Sequence, residues 1–259
     1  MKLASRVWPL AVASASLLIG FASCGGGSGG GGQMIPGDPG DEAVGGFWTG
    51  SLTIDGEPGA QELVGLSTDD GRFRFISVDT EAQFVGTARA DGTSVTGSGT
   101  AYAPAGFTWR DGSTVTTVTM TATIAERDTF AGSWSSATGE SGTFDFDYDP
   151  EYEKDSSLGL LSGVWIVYDD NLNPFAAFTI DPDGRFTAQN VVGCTSSGRI
   201  SVIDSRFNVY DLQSSIVGCA IAGDYTGLGA LGDIVSPNDV FLFSVSNAQR
   251  ALLLGLERD

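Results

Sequence analysis

The sequence predicts an all-β protein of two tandem, small antiparallel meander barrels, each of about eight strands. Three observations carry this. Short runs rich in Thr, Val and Phe alternate with Gly- and Asp-rich turn formers roughly every eight to twelve residues, the spacing of a sandwich or barrel. No long segment after residue 24 has the 3.6-residue apolar period of a helix. Two landmark motifs recur in the two halves of the 259-residue chain, which has room for two cores of about 100 residues each.

Residues 1–23 come first: a short basic start at Lys2 and Arg6, then an apolar run from Val7 to Ala22 that is too short for a comfortable membrane span. It closes on Leu17, Leu18, Ile19, Gly20 and then Phe21-Ala22-Ser23-Cys24. This resembles the lipobox of bacterial lipoproteins, in which small residues precede a Cys that is cleaved free and diacylated. The resemblance implies a lipoprotein signal peptide over 1–23 and lipidation at Cys24. Such an anchor buries far more CH₂ groups than a single chain that binds marginally, so attachment should be stable. Residues 24–45, rich in Gly, Pro and Asp, read as a tether whose flexible span is on the order of 25 Å. Gly25 and Gly26 follow the Cys without the Asp that resembles an inner-membrane retention signal. The expected address is therefore the outer membrane, with the membrane contacted through the lipid alone.

Residues 46–150 form the first predicted barrel. Strands are expected near Phe47–Ile54, Gln61–Thr68, Arg72–Val78, Ala82–Arg89, Ser94–Tyr102, Thr114–Ile124, Thr129–Ser135 and Ser141–Tyr148. Asp69-Asp70-Gly71, Ala90-Asp91-Gly92, Glu126-Arg127-Asp128 and Thr138-Gly139-Glu140 punctuate them with turn chemistry. Glu151 to Ser157 break the pattern and read as a connector. Residues 158–259 restart it, near Val164–Tyr168, Phe175–Ile180, Arg185–Asn190, Thr195–Asp204, Phe207–Gln213, Cys219–Gly227, Val240–Ser246 and Ala251–Arg258. The last run, with Leu252-Leu253-Leu254, does not alternate and is also compatible with a short helix.

The halves share Gly46-Phe47-Trp48 with Gly163-Val164-Trp165, and Asp70-Gly71-Arg72-Phe73 with Asp183-Gly184-Arg185-Phe186. The repeats predict a duplicated fold. The Gly-x-Trp opening of an eight-strand meander resembles the lipocalin and calycin barrels, where the Trp plugs one end. Phe130-Ala131-Gly132-Ser133-Trp134, continuing through Ala137 and Glu140 to Gly142-Thr143-Phe144, is similar to a Gly-rich hairpin of transferrin-binding-type surface lipoproteins.

Charge and composition narrow the function. With 13 basic and 32 acidic residues the net charge is -19. Loss of Lys2 and Arg6 with the leader makes the remainder more negative still. Such a surface repels phosphate backbones and anionic headgroups, so no nucleic-acid partner is expected. The chain has no His, which removes Ser-His-Asp and Cys-His catalysis, His-ligated zinc and His-ligated haem. Cys194 and Cys219 are expected to pair in an exported protein; a reactive or metal-binding pair is the alternative reading.

Three acidic clusters invite a calcium reading: Asp169-Asp170-Asn171 with Asn173, Asp181 with Asp183, and Asp145-Asp147-Asp149. Turn formation and the wet face of a strand account for them more economically, and no metal or cofactor is expected. No residue pattern marks a catalytic centre. The expected function is a non-catalytic envelope module that binds an envelope protein or a small apolar ligand, or serves a structural role. The alternative is a hydrolase of envelope polymers using Asp and Glu.

Aromatic residues on the alternating runs, Phe73, Phe75, Phe178 and Phe186 among them, read as barrel filling. Tyr102 to Trp109 differs: Tyr102, Phe107 and Trp109 sit on or beside a long, partly apolar loop that reads as a lid, a partner contact or a plug, and hence as a binding loop. The second barrel is expected to be packed solid. Any pocket is expected at the mouth of the first, beside that loop.

Overall fold

A computed structural model describes residues 43–169 and 171–259. The predicted leader, the acylation candidate Cys24, the tether up to residue 42 and Asp170 of the first acidic cluster lie outside the described residues.

Two closed, eight-stranded antiparallel barrels follow one another along the chain. The first comprises β1 (Gly46–Thr53), β2 (Ala60–Ser67), β3 (Arg72–Ser77), β4 (Gln83–Asp91), β5 (Ser94–Tyr102), β6 (Val115–Ala125), β7 (Thr129–Ser136) and β8 (Ser141–Asp149). The second comprises β9 (Gly163–Tyr168), β10 (Pro174–Ile180), β11 (Arg185–Asn190), β12 (Thr195–Val202), β13 (Tyr210–Val217), β14 (Gly223–Gly232), β15 (Val240–Ser246) and β16 (Ala251–Arg258). Each strand pairs with its sequence neighbour and the last returns to the first, the up-and-down closure that the lipocalin and calycin resemblance implies.

The period-two alternation of each strand sorts side chains to the interior or the exterior. On β7 and β8, Phe130, Trp134, Phe144 and Phe146 point inward and are buried, whereas Asp145 is exposed on the outer face. Large inward rings face inward glycines across the ladder. A Cβ on Gly65 would lie 2.0 Å from Phe75 Cδ1, and one on Gly198 would lie 2.7 Å from Phe186 Cζ. The absence of a side chain at these glycines lets an aromatic ring lie flat on the opposing backbone.

The repeated tetrapeptide occupies the same hairpin in both barrels, β2 to β3 and β10 to β11. Gly71 and Gly184 both take positive φ, 88° and 78°, so each turn requires glycine. Their carbonyls accept the N–H groups of Ala88 and Ile200, each at 2.7 Å. Beyond the turn the registers coincide as well: Phe73 lies opposite Gly86, and Phe186 opposite Gly198. The duplication is one of geometry as well as of sequence.

Several segments depart from the sequence-based expectation. The run expected from Phe207 forms β13 only from Tyr210, because Phe207 leaves the sheet to stack on Tyr152 at 4.8 Å. The run expected from Cys219 forms β14 only from Gly223, because Cys219 to Ala222 make a turn closed by Ala222 N–H to Cys219 C=O. The Leu-rich last run is strand β16. The connector is structured rather than merely polar: a 3₁₀ turn over Pro150–Glu153 starts on the Asp149 side chain, and helix α1 (Leu158–Leu161) starts on Ser157, whose Oγ accepts from Leu160 N–H. Tyr152 in this connector is buried.

The barrels lie side by side, outer faces of β1 to β4 against outer faces of β13 to β15. Phe47, Leu66, Tyr148, Tyr152, Phe207 and Leu228 form a small apolar cluster between them. Arg72 pairs with Asp211 at 2.5 Å. Arg74 donates to Thr226 C=O at 2.6 Å and to the hydroxyls of Ser244 and Ser246 at 3.2 Å each. Ser244 Oγ also donates to Gln83 Oε1 at 2.6 Å, and Tyr102 Oη donates to Asn247 C=O at 2.8 Å.

Candidate binding surface

The interiors are filled. In the second barrel Trp165, Tyr210, Leu212, Tyr225, Phe241 and Leu256 are essentially inaccessible. The first holds a cavity of about 40 Å³, lined among others by Leu63, Phe75, Phe84, Met120 and Trp134. Its lining is apolar and its volume suits little more than one water-sized sphere, too small for a drug-sized ligand. The cavity lies mid-barrel and not at the expected mouth: Tyr102, Phe107 and Trp109 do not line it. Inward Gly97 and the slender Met120 leave space there that the stacked pair Phe75 and Phe146, 5.0 Å apart, does not fill.

The three residues of the predicted binding loop do not act together. Tyr102 is buried in the seam between the barrels, Trp109 packs against the core of the first barrel, and Phe107 alone projects, 65% exposed. Glu140, read from sequence as part of a turn, holds this loop in place. Its buried carboxylate accepts from Arg110 N–H at 2.8 Å and from the hydroxyls of Ser136 and Thr138. Burial alone would raise its pKa; the two hydroxyls and the Arg110 amide outweigh burial and hold it at about 2.

A depressed carboxylate stabilises fully above its ordinary value of 4.5, and that contribution disappears as pH falls toward 2. Glu140→Gln is therefore expected to lower stability by on the order of 2 kcal/mol at pH 7 and by little at pH 2. Urea denaturation at the two pH values measures the difference. An equal loss at both would assign Glu140 a role independent of its charge.

Arg74 occupies the seam with 7% exposure and, among the described residues, no carboxylate within ion-pair distance; its partners there are one carbonyl and two hydroxyls. Burial pushes its guanidinium down to about 10, so it remains charged at neutral pH. The charge is satisfied by dipoles, a geometry that fixes how the barrels sit because those acceptors come from two adjacent strands.

Paired contacts fix the sense of the barrels. The β2–β3 hairpin end of the first meets the start of β13, through Arg72 and Asp211, while Tyr102 at the far end of β5 meets Asn247 after β15. The β1–β2, β3–β4, β5–β6 and β7–β8 loops thus share one end of the molecule with the β9–β10, β11–β12, β13–β14 and β15–β16 loops. The chain enters β1 at the opposite end. Among the described residues, five of the nine exposed large apolar side chains stand at or next to the shared loop end: Phe107, Leu172, Val191, Val192 and Val217.

The Cys194–Cys219 disulfide, with 5.3 Å between Cα atoms, ties the β11–β12 loop to the β13–β14 loop beneath these tips. Asn190 Oδ1 accepts from Val192 and Cys194 N–H, at 3.1 and 2.8 Å, and shapes the first of those loops. The acidic clusters serve turns and a strand face: Asp169 Oδ1 accepts from Asn171 and Asn173 N–H, and Asp181 Oδ1 from Asp183 and Arg185 N–H. Asp145 and Asp147 stand exposed on β8. No group of three or more metal-ligating side chains gathers among the described residues.

These features define a class: a tandem pair of up-and-down β-barrels docked through their outer faces, with interiors occupied by side chains. No protein-family model matches the chain, and no curated protein matches it significantly. Among solved structures it is similar to that of a protein described as a putative outer membrane protein of Bacteroides fragilis NCTC 9343, at 11% identity over 83% of this chain and 98% of that one, with a TM-score of 0.29.

Proposed function

We propose that the protein is a non-catalytic binding module of the bacterial envelope. It is anchored in the outer membrane through a lipidated Cys24 and presents its shared loop end to an envelope protein. The observation that carries this reading is polarity of layout: the chain enters β1 at one end, while the largest group of exposed apolar side chains stands at the other. A tether reaching the first end would turn the apolar tips away from the membrane. Filled barrels leave exterior surfaces for binding, and exposed apolar tips on braced loops are the kind of surface that partners cover. The strongly negative chain disfavours an anionic lipid surface as that partner and favours a protein with basic residues around an apolar patch.

The test has two arms. Cys24→Ala is expected to move the protein to the soluble fraction and to abolish incorporation of labelled fatty acid; persistence in the membrane fraction would overturn the anchor. A photo-crosslinker at Val192 is expected to give a discrete protein adduct in cells, and one at Asp145, on the side of the first barrel, is expected to give none. Equal labelling from both positions would remove the loop end from consideration.

A further inference from the structure

The contact between the barrels is heterologous: the first barrel uses chiefly its strands 2 to 4, with Phe47 of its first strand at the edge, and the second its strands 5 to 7. Because the barrels are repeats, each also carries the face that the other uses. Apart from Tyr102 at the end of β5, which sits in the seam, the first barrel's β5–β7 face and the second barrel's β10–β12 face are, among the described residues, uncovered copies of the two halves of one interface.

The ladders make the correspondence residue by residue. In the seam, Leu66, Arg74, Ile76 and Gln83 are joined by the pairs Leu66 to Arg74 and Ile76 to Gln83. At the same register in the second barrel stand Thr179, Thr187, Gln189 and Thr195, joined by the pairs Thr179 to Thr187 and Gln189 to Thr195. These four line an outer-face groove of about 440 Å³, so the second barrel is concave where the first barrel receives its neighbour.

The opposite half corresponds as closely. Asp211 lies across from Leu228, which lies across from Ser244, and Thr226 lies across from Ser246. In the first barrel the equivalent positions are Thr96, Thr121 and Ser133, with Thr119 across from Ser135. The acceptor set of Arg74, one Thr carbonyl and two Ser hydroxyls, recurs there as Thr119, Ser133 and Ser135.

What differs is the anchors. Leu66, Arg74 and Ile76 become Thr179, Thr187 and Gln189, while Leu228 and Asp211 become Thr121 and Thr96. Leu66, Arg74 and Ile76, and Leu228 and Asp211 opposite them, are each replaced on the copies by an exposed Thr or Gln, whereas Arg72 is kept as Arg185 and the backbone register and the hydroxyl acceptors are also kept. An unclosed heterologous interface would otherwise add copies into a filament, and replacing its anchors removes the buried side chains that carry binding energy.

We infer that the β5–β7 face and the β10–β12 groove are the two halves of a docking surface for a second copy of this chain, disarmed at their anchor positions so that the chain stays a closed pair of barrels. The net negative charge of each copy adds repulsion in the same direction.

The experiment uses the full chain bearing Cys24→Ala, which leaves both barrels unchanged, with mass followed by light scattering and sedimentation as concentration rises. The parent is expected to keep the mass of one chain throughout. A donor variant, Thr179→Leu with Thr187→Arg and Gln189→Ile, and an acceptor variant, Thr96→Asp with Thr121→Leu, change exposed outward positions alone. Each is expected to stay monomeric by itself, and an equimolar mixture to form a one-to-one dimer that grows no further. Carrying both sets on one chain is expected to give open, concentration-dependent oligomers. A mixture of folded variants that remains monomeric would overturn the inference. So would a parent chain that self-associates and loses that association on Thr121→Arg, because its faces would then be armed.

Discussion

Trp165→Ala is expected to destabilise the protein by about 3–5 kcal/mol, a larger loss than at any other single position considered. The indole is fully buried, donates from Nε1 to Leu161 C=O at 2.7 Å, and carries the Arg258 guanidinium carbon 4.2 Å from its ring centroid. Arg258 in turn donates to the carbonyls of Leu160 and Ser162. Trp165 thus joins the first strand, the last strand and α1 at one end of the barrel. The seam it supports is short: β16 meets β9 through the pairs Glu257 to Ile166 and Arg258 to Trp165, whereas β1 meets β8 through six. Truncation would remove the packing and also the group that bridges the weakest ladder, so midpoints in urea should fall and Tm should drop by on the order of 10 °C. Trp165→Phe should recover much of the loss because a ring remains under Arg258. A change below about 1 kcal/mol for the Ala variant would show that closure does not depend on this residue.

Removing the disulfide by Cys194→Ser with Cys219→Ser is expected to cost about 3–4 kcal/mol on the chain-entropy account, the bridge closing a sequence separation of 25. The unfolded chain gains freedom, and the two loops beneath Val191, Val192 and Val217 lose their tie. Two readouts separate these consequences. Equilibrium denaturation reports the stability, and amide exchange across residues 190–194 and 218–222 reports the loops. Loops that exchange faster with an unchanged denaturation midpoint would confine the bridge to local ordering and refute the global figure.

Much of the fold was legible because a barrel strand reports its own geometry locally. Phe144 and Phe146 alternate with Asp145 and Asp147, and Asp70-Gly71 and Asp183-Gly184 spell the turns. The equivalence of Trp48 and Trp165 follows from their motif. Their hydrogen bonds do not: Trp48 Nε1 donates to Ser67 Oγ at 2.8 Å, Trp165 to a helix carbonyl. Helix α1 carried one faint signal, Ser157 as a capping residue before an apolar run, too short to show a helical period.

The sequence by itself determined the all-β class, the two meanders, their repeated landmarks and the Cys194–Cys219 pairing, since each depends on alternation, turn chemistry or cysteine number. The tertiary structure alone decided what happens outside each barrel. Arg74 and Gln83 are polar residues at outward positions of β3 and β4, yet both are buried; Ser133 and Ser135 occupy the positions equivalent to Ser244 and Ser246, yet one pair is exposed and the other is covered. The physical reason is that period-two patterning distinguishes the inside of a barrel from its outside, and every one of these side chains points outside. Which outer face meets a second barrel depends on how two closed surfaces dock, and no local periodicity records that.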